Sequence, residues 1–425
     1  MEKAILVGLE LDRAADFDHS MEELYELAKA CELEVAGQTS QRALAVNKAY
    51  YIGTGKVEEV RSMVKDTGAD LVIFDNALSP MQLRNLNQAL DVAVMDRTTL
   101  ILEIFSRRAR TREARLQVDV AALTYALPRL VGLHDALSRQ GGTSGAMSNR
   151  GAGEKKLELD RRHIEARLGT LRRELEHVKL DRETQRKRRQ KSSLPLVGLV
   201  GYTNAGKSSI MNGLIELYQA EEEKQVFEED MLFATLETTV RRLSKEDGKS
   251  FLLSDTVGFI SNLPHHLVQA FRSTLEEIKD ADLLLEVVDY ADPHAAEQMQ
   301  VTADTLKDLG AGDIPVLRVY NKLDRCRELP DAMPYPMVRT DTVYISAKEE
   351  ESLKLLAEEI EKRLFGSRQR CKLFLPYTEG GVLSALKEQA QVLDVAYEAE
   401  GISVTALLSD EQAGRYRAYL TDVVS

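Results

Sequence analysis

The sequence predicts an α/β chain organised around one phosphate-loop domain, and three observations carry that expectation. Leu196–Leu214 reads as an apolar strand, a glycine-bounded loop and a helix start, in that order. Strand and helix signals alternate over residues 1–105. Two further strand-like runs follow the loop and end in Asp255-Thr256-Val257-Gly258 and Asn321-Lys322-Leu323-Asp324.

Residues 1–105 form the first expected domain, small and α/β, with a largely parallel sheet. Ala4–Leu9, Leu71–Phe74 and Val92–Met95 are apolar enough for buried strands. Helices are expected over Met21–Cys31, Lys56–Val64 and Pro80–Leu90, the last opened by Ser79 with Pro80. Gly53-Thr54-Gly55-Lys56 lacks the full spacing of a phosphate loop and no hydroxyl follows the lysine, so it reads as a tight turn entering a helix.

The second segment, 106–191, is a basic helical hairpin. Arg107, Arg108, Arg110, Arg112 and Arg115 crowd its start, and Leu116, Val120 and Leu123 continue at helical spacing to Arg129. Residues 137–153 are rich in Gly, Ser and Asn. Helical patterning resumes from Leu157 to about Lys187, with Ile164, Leu168, Leu171, Leu175 and Val178 spaced by three and four. Such a pair of helices joined by a glycine-rich tip predicts an antiparallel hairpin. Residues 160–191 hold 12 Lys/Arg against 6 Asp/Glu, in a chain whose net charge is −13. That stem suits a phosphate backbone; a solvated face laced with i,i+4 ion pairs is the competing reading.

The third segment, 192–366, carries the chemistry. Gly201 and Gly206 bound a loop whose backbone N–H groups can converge on phosphates. Lys207 can reach the β- and γ-phosphates, and Ser208, followed by Ser209, offers a hydroxyl to Mg²⁺. Asp255, at the end of the Phe251–Ser254 strand, can hold Mg²⁺ through a water, and the Gly258 N–H can sense the γ-phosphate. Asp324 follows the Val316–Tyr320 strand. Its carboxylate can accept from N1 and N2 of guanine, a donor pair adenine lacks, so the tetrad selects GTP over ATP. Asn321 belongs to the same tetrad, and the Lys322 stem can cover the base. Ser346-Ala347-Lys348, after Val343–Ile345, can donate backbone N–H groups to guanine O6.

Thr235 in Phe233–Leu236 is the chosen residue to close over Mg²⁺ and the γ-phosphate, with Thr238 and Thr239 as alternatives. Lys207, Thr235 and Gly258 are thus the candidates for catalysis, and Ser208, Thr235 and Asp255 for the metal. Phe259 stands where a water-orienting glutamine is found in small GTPases and cannot hydrogen-bond a nucleophilic water. Hydrolysis unaided is therefore expected to be slow and to need stimulation. Asn204 is a candidate ligand for a monovalent cation, K⁺, with a structural loop amide as the rival. The fold class is accordingly α/β: a P-loop GTPase domain preceded by an N-terminal α/β domain with a long helical hairpin. A small α+β domain follows, 367–425, with apolar runs at Leu373–Leu375 and Ile402–Leu407 and helices at Val382–Gln391 and Asp410–Tyr419.

Composition sets the outer limits. At 425 residues and 47.6 kDa there is room for two or three domains. The opening MEKAILVGLELD is too acidic for a secretory leader, and no apolar run reaches membrane-spanning length. Cys31, Cys326 and Cys371 are scattered without metal spacing, as expected of reduced thiols in a cytoplasmic protein.

These motifs together resemble the HflX family of ribosome-associated GTPases over almost the whole chain. GYTNAGKSS (201–209), FATLE (233–237), DTVGFI (255–260), NKLD (321–324) and SAK (346–348) carry the nucleotide part of the likeness. LSPMQLRNLNQAL (78–90), DRTTLILEIFSRRARTREARLQV (96–118) and GAGEKKLELDRR (151–162) are more specific. The resemblance implies binding to the large ribosomal subunit, action in ribosome splitting or rescue, and nucleotide as a switch. It would place Ser138–Gly153 against rRNA near the peptidyl-transferase region. The partners it implies are the large subunit, with no DNA, no stable membrane insertion and a monomeric chain. Two other functions compete. One is a GTP-controlled switch whose target is protein alone; the other is an N-terminal enzyme regulated by GTP.

Overall fold

The computed structural model describes residues 2–11, 17–139, 159–178, 180, 194–218, 239–244, 249–255, 258–259, 276–326, 333–366 and 369–424. The chain divides into two compact units. One is built on Met1–Val178, the other on Lys179–Glu228, Glu237–Ile260 and Ser273–Ser425.

The first unit opens with a four-stranded parallel sheet of order β2-β1-β3-β4. Its strands are β1 (Lys3–Leu11), β2 (Glu34–Ala43), β3 (Leu71–Phe74) and β4 (Ala93–Asp96). The helices between them are α1 (Phe17–Ala30), α2 (Thr54–Thr67) and α3 (Pro80–Leu90). Ile5, Val7, Val72, Phe74 and Leu86 share one core under α2 and α3. Each such side chain withdrawn from water contributes about 1.5–3 kcal/mol. Ser79 and Gln82 form a capping box that fixes the start of α3, with Pro80 in its first turn. Gly53 is the N-cap of α2, and Lys56 Nζ turns back to Glu59 at 2.8 Å, so that glycine pair serves a helix start. β2 escapes an apolar-run search because it is a polar edge strand, EVAGQTSQRA, none of whose residues is fully buried.

The single helix expected from Arg107 to Arg129 is instead two, α4 (Arg97–Arg108) and α5 (Arg112–Arg139). The break is held by Thr111, whose Oγ1 accepts from Ala114 N–H at 3.2 Å, and by Arg115, whose Nε donates to Ala109 O at 3.1 Å. Asp96 ties both helices to the sheet. It caps α4 by accepting from Thr99 N–H, and it accepts from Tyr125 Oη of α5 at 2.6 Å and Arg129 at 2.5 Å. Residues 159–178 are helical and are α6 here. Leu168 and Leu171 are buried, and Ile164, Leu175 and Val178 are half-buried, so the expected stripe is the inward face. Arg112 at the start of α5 pairs with Glu174 late in α6 at 3.1 Å, as antiparallel packing requires. α5 carries the helix through Ser138 to Arg139, and the rest of the expected tip, 140–153, lies outside the described residues.

The second unit contains a seven-stranded sheet of order β10-β11-β9-β8-β5-β7-β6. Its strands are β5 (Leu196–Gly201), β6 (Thr239–Ser244), β7 (Ser250–Asp255), β8 (Leu283–Asp289), β9 (Val316–Asn321), β10 (Met337–Arg339) and β11 (Thr342–Tyr344). The five inner strands run parallel, and β6 and β10 are antiparallel edges. β8, LLLEVVD, is buried throughout and lies between β5 and β9, which brings the ends of β5, β8 and β9 together. Helix α7 (Lys207–Leu217) packs on α9 (Glu350–Phe365), where Gly213 lets Leu353 approach so closely that a Cβ would lie 2.4 Å from it. Helix α8, Ala295–Asp308, contacts β5 and β8.

The C-terminal region is an antiparallel sheet of order β13-β14-β12-β15, from β12 (Gln369–Leu375), β13 (Gln391–Tyr397), β14 (Ile402–Leu408) and β15 (Leu420–Val424). Cys371, Leu373, Val404 and Ala406 form its core with Leu386 of the helix Gly380–Gln389. The expected helix to Gln391 therefore ends earlier, and the expected helix Asp410–Tyr419 is a short α-helix to Arg415 followed by a 3-10 turn. No helix among the described residues is long and apolar enough to cross a membrane.

Candidate nucleotide site

The site lies at the C-terminal ends of the parallel strands, where an open α/β sheet offers a crevice. Gly201 ends β5 with φ 137°, and a Cβ there would lie 2.2 Å from Val287 O of β8, so the turn into the loop admits only glycine. Gly206 has φ 99°, and a Cβ on it would meet Asn321 Nδ2 at 2.2 Å. The loop between them, Tyr202–Ala205, leads directly into α7, whose first residue is Lys207.

Lys207 is buried, and its ammonium donates to Gly201 O at 3.1 Å and Tyr202 O at 2.6 Å. Burial pushes it down to about 8, against the pull of Asp255 and with Lys322 adding to the fall. An anion in this loop would push it back up and hold the ammonium form. Ser208 Oγ donates to Asp255 Oδ2 at 3.1 Å, which brings the helix start to the end of β7, and Asp255 is fully buried. Ser209, half-buried, follows on α7 beside a cavity of about 690 Å³ that Ala347, Lys348 and Leu353 also line.

Gly258 closes on the same loop. A Cβ on it would fall 2.8 Å from Thr203 Cα and 2.9 Å from Lys207 Nζ. The next residue, Phe259, is buried and bridges to the loop in both directions. Its N–H donates to Gly201 O at 3.1 Å, and its carbonyl accepts from Thr203 N–H at 2.8 Å. Thr235 and Thr238 lie outside the described residues, while Thr239 begins β6.

The far end of the site is organised by Asn321. Its Nδ2 donates to Ala205 O at 3.0 Å and its Oδ1 accepts from Ala347 N–H at 2.9 Å, so one buried amide joins the phosphate loop to the Ser346-Ala347-Lys348 turn. Lys322, at φ 63°, sends Nζ to Asn204 O at 2.6 Å and to Asp289 Oδ2 at 2.9 Å. Asn204 itself is exposed at φ 60°. Asp324 accepts from Ser346 Oγ and from Lys348 Nζ, both at 3.0 Å. Burial raises its carboxyl, but those two donors outweigh it and the net shift is downward, so the group stays an acceptor.

Two residues of this constellation are absent from the motif reading. Asp289 ends β8 as Asp255 ends β7, and a search for acids at strand ends would have found it once LLLEVVD was taken as a strand. Thr203 lies inside the loop, but a hydroxyl at that spacing carries no motif. Chemically, the arrangement can cradle a phosphate chain on the loop and the α7 N-terminus. It can place oxygen ligands for a hard cation at Ser208 and Asp255, and present a carboxylate to a base edge at Asp324.

Comparison with known proteins agrees along the chain. A family described as GTP-binding GTPase N-terminal matches residues 18–106, and one described as GTP-binding GTPase Middle Region matches 108–189. A third, described as 50S ribosome-binding GTPase, matches 196–322. The GTPase HflX of Caldanaerobacter subterraneus subsp. tengcongensis is 43% identical over 99% of this chain and 94% of its own. That of Lacrimispora saccharolytica is 42% identical over 96% and 94%. That of Escherichia coli is 38% identical over 95% and 92%.

Proposed function

The chain belongs to the HflX family of GTPases, and from that premise we propose that its GTP cycle operates on the large ribosomal subunit. GTP binding and hydrolysis to GDP and phosphate are its activity. The observation that carries the site reading is the Asn321 clasp, which holds a phosphate loop and a base-side turn in one frame.

Within that frame, Gly201, Gly206, Lys207, Ser208 and Ser209 hold the phosphates. Asp324 reads the guanine edge, Lys322 covers the base, and the Ser346–Lys348 turn meets O6. Ser208 and Asp255 offer oxygen ligands that fit Mg²⁺, with Thr235 completing the set. Bound there, Mg²⁺ would neutralise charge on the β- and γ-phosphates. K⁺ is assigned to Asn204. Lys207 and the Gly258 N–H face the γ-phosphate, and Thr235 closes over it. Phe259 cannot orient a water, so turnover alone is slow and the ribosome stimulates it.

Support for the ribosomal partner comes from the 50S ribosome-binding family match over 196–322 and from the basic excess of residues 160–191. The basic helices would follow rRNA phosphates, and the tip, Ser138–Gly153, would approach the peptidyl-transferase region. Ribosome splitting or rescue by a cytoplasmic monomer is the role this gives. The test measures GTP turnover against large-subunit concentration, together with co-sedimentation in a non-hydrolysable GTP analogue. Turnover should rise saturably and fall as salt is added. No co-sedimentation and no stimulation at low salt would leave a switch acting on protein alone.

A further inference from the structure

Thr203 is buried at 6% exposure inside the phosphate loop, and among the described residues its Oγ1 has no hydrogen-bond partner. A buried hydroxyl left unpaired costs on the order of 1–3 kcal/mol, so its position calls for a ligand. Its surroundings indicate which one. The point where a Cβ on Gly258 would lie is 2.8 Å from Thr203 Cγ2 and 2.9 Å from Lys207 Nζ. Thr203, Gly258 and the lysine ammonium are therefore packed together at one point of the loop. Phe259 follows Gly258 and brings no polar side-chain atom to that point.

We propose that Thr203 Oγ1 is a positioning group for the water that attacks the γ-phosphate. The inference rests on reading Lys207 and Gly258 as the groups that face that phosphate. In the step, the water oxygen bonds to Pγ while the bond from Pγ to the β–γ bridging oxygen breaks. That electron pair leaves with GDP, and the water's proton passes to the transferred phosphate. An alcohol is far too weak a base to take the proton at neutral pH, so the hydroxyl accepts a hydrogen bond from the water and fixes its direction. Threonine suits this because its side chain is stiff at χ1. The methyl packed against Gly258 holds the rotamer, and the hydroxyl is held with it.

The test compares Thr203→Val, which keeps the shape and removes the hydroxyl, with Thr203→Ser, which keeps the hydroxyl and removes the methyl. Single-turnover GTP hydrolysis is read beside affinity for GDP and a non-hydrolysable GTP analogue. The valine variant should lose hydrolysis rate on the order of tenfold to a hundredfold while both affinities stay within about twofold. The serine variant should retain the rate within about threefold. A valine variant at the wild-type rate, or a serine variant as slow as valine, overturns the proposal. If Thr203→Val does not bind GDP, the same comparison is read on Thr203→Ala, with the same two outcomes. Lys207→Ala separates the layers. If it keeps full GTP affinity, the site reading fails; if it loses affinity while Thr203→Val keeps its rate, only the present inference falls.

Discussion

Replacing Asn321 by alanine should damage stability and nucleotide binding together. The side chain is 2% exposed and makes two hydrogen bonds, to Ala205 O at 3.0 Å and from Ala347 N–H at 2.9 Å. Truncation leaves a carbonyl in one loop and an N–H in another without partners. Each orphaned group costs about 1–3 kcal/mol, so the pair is worth about 2–6 kcal/mol, and water entering the space recovers part of it. If the loops stay in place, the whole loss appears as a lower melting temperature. At about 2–4 °C per kcal/mol for a domain of this size, the drop is at least about 4 °C. If the loops relax instead, binding must reorder them, and about 2 kcal/mol becomes roughly a thirtyfold weaker GDP affinity. The sum of the two effects is therefore the quantity to measure, by thermal melting of the free protein and by titration with fluorescent GDP. Asn321→Asp is the control. It keeps the acceptor for Ala347 but sets an oxygen against Ala205 O, so it should be no better than alanine. If alanine changes neither quantity, or aspartate behaves as wild type, the clasp does not join the loops energetically.

Other perturbations separate the remaining parts of the site. Asp324→Asn should weaken GTP and favour xanthosine triphosphate, whose C2 carbonyl accepts the new amide; competition binding with both nucleotides checks this. Ser208→Ala should raise the Mg²⁺ concentration needed for GTP binding, read by titrating Mg²⁺ at fixed nucleotide, and an unchanged midpoint removes Ser208 from the metal shell. Asp289→Asn should lower GDP affinity by about three- to tenfold through a less firmly held Lys322. In that variant, equal GDP affinity would show that Lys322 needs no carboxylate to keep its place.

What was legible in the sequence follows the chemistry. Lys207, Ser208, Asp255 and Asn321 come together because the reaction demands those groups at those strand ends, and the demand survives as spacing. Thr235 lies outside the described residues, so its place beside Ser208 stays a proposal. Edge strands carry no such imprint. β2 is half-covered and polar, and its partner rather than its composition makes it a strand. The break between α4 and α5 had a readable signal in Thr111, whose hydroxyl caps the next helix, but the arginine run around it favours helix on both sides. Helix α5 passes the arginine that looked like its end because Arg129 is anchored sideways, to Asp96 and to the face of Tyr125 at 3.3 Å.

The geometry also implies that base choice and phosphate binding are unequally coupled. Asn321 and Lys322 are neighbours at one strand end, yet they grip adjacent carbonyls of the phosphate loop, Ala205 O and Asn204 O. The same Lys322 ammonium also pairs with Asp289 at the end of β8. The loop's shape thus depends on two residues of the tetrad that also frames the base. Asp324 is different, since it accepts from Ser346 and Lys348 on the base side. Changes at Asn321 or Lys322 should therefore combine non-additively with changes in the phosphate loop, because they share contacts. Changes at Asp324 should combine additively with them, and a double-mutant cycle pairing Lys207→Ala with each tetrad residue distinguishes the two patterns.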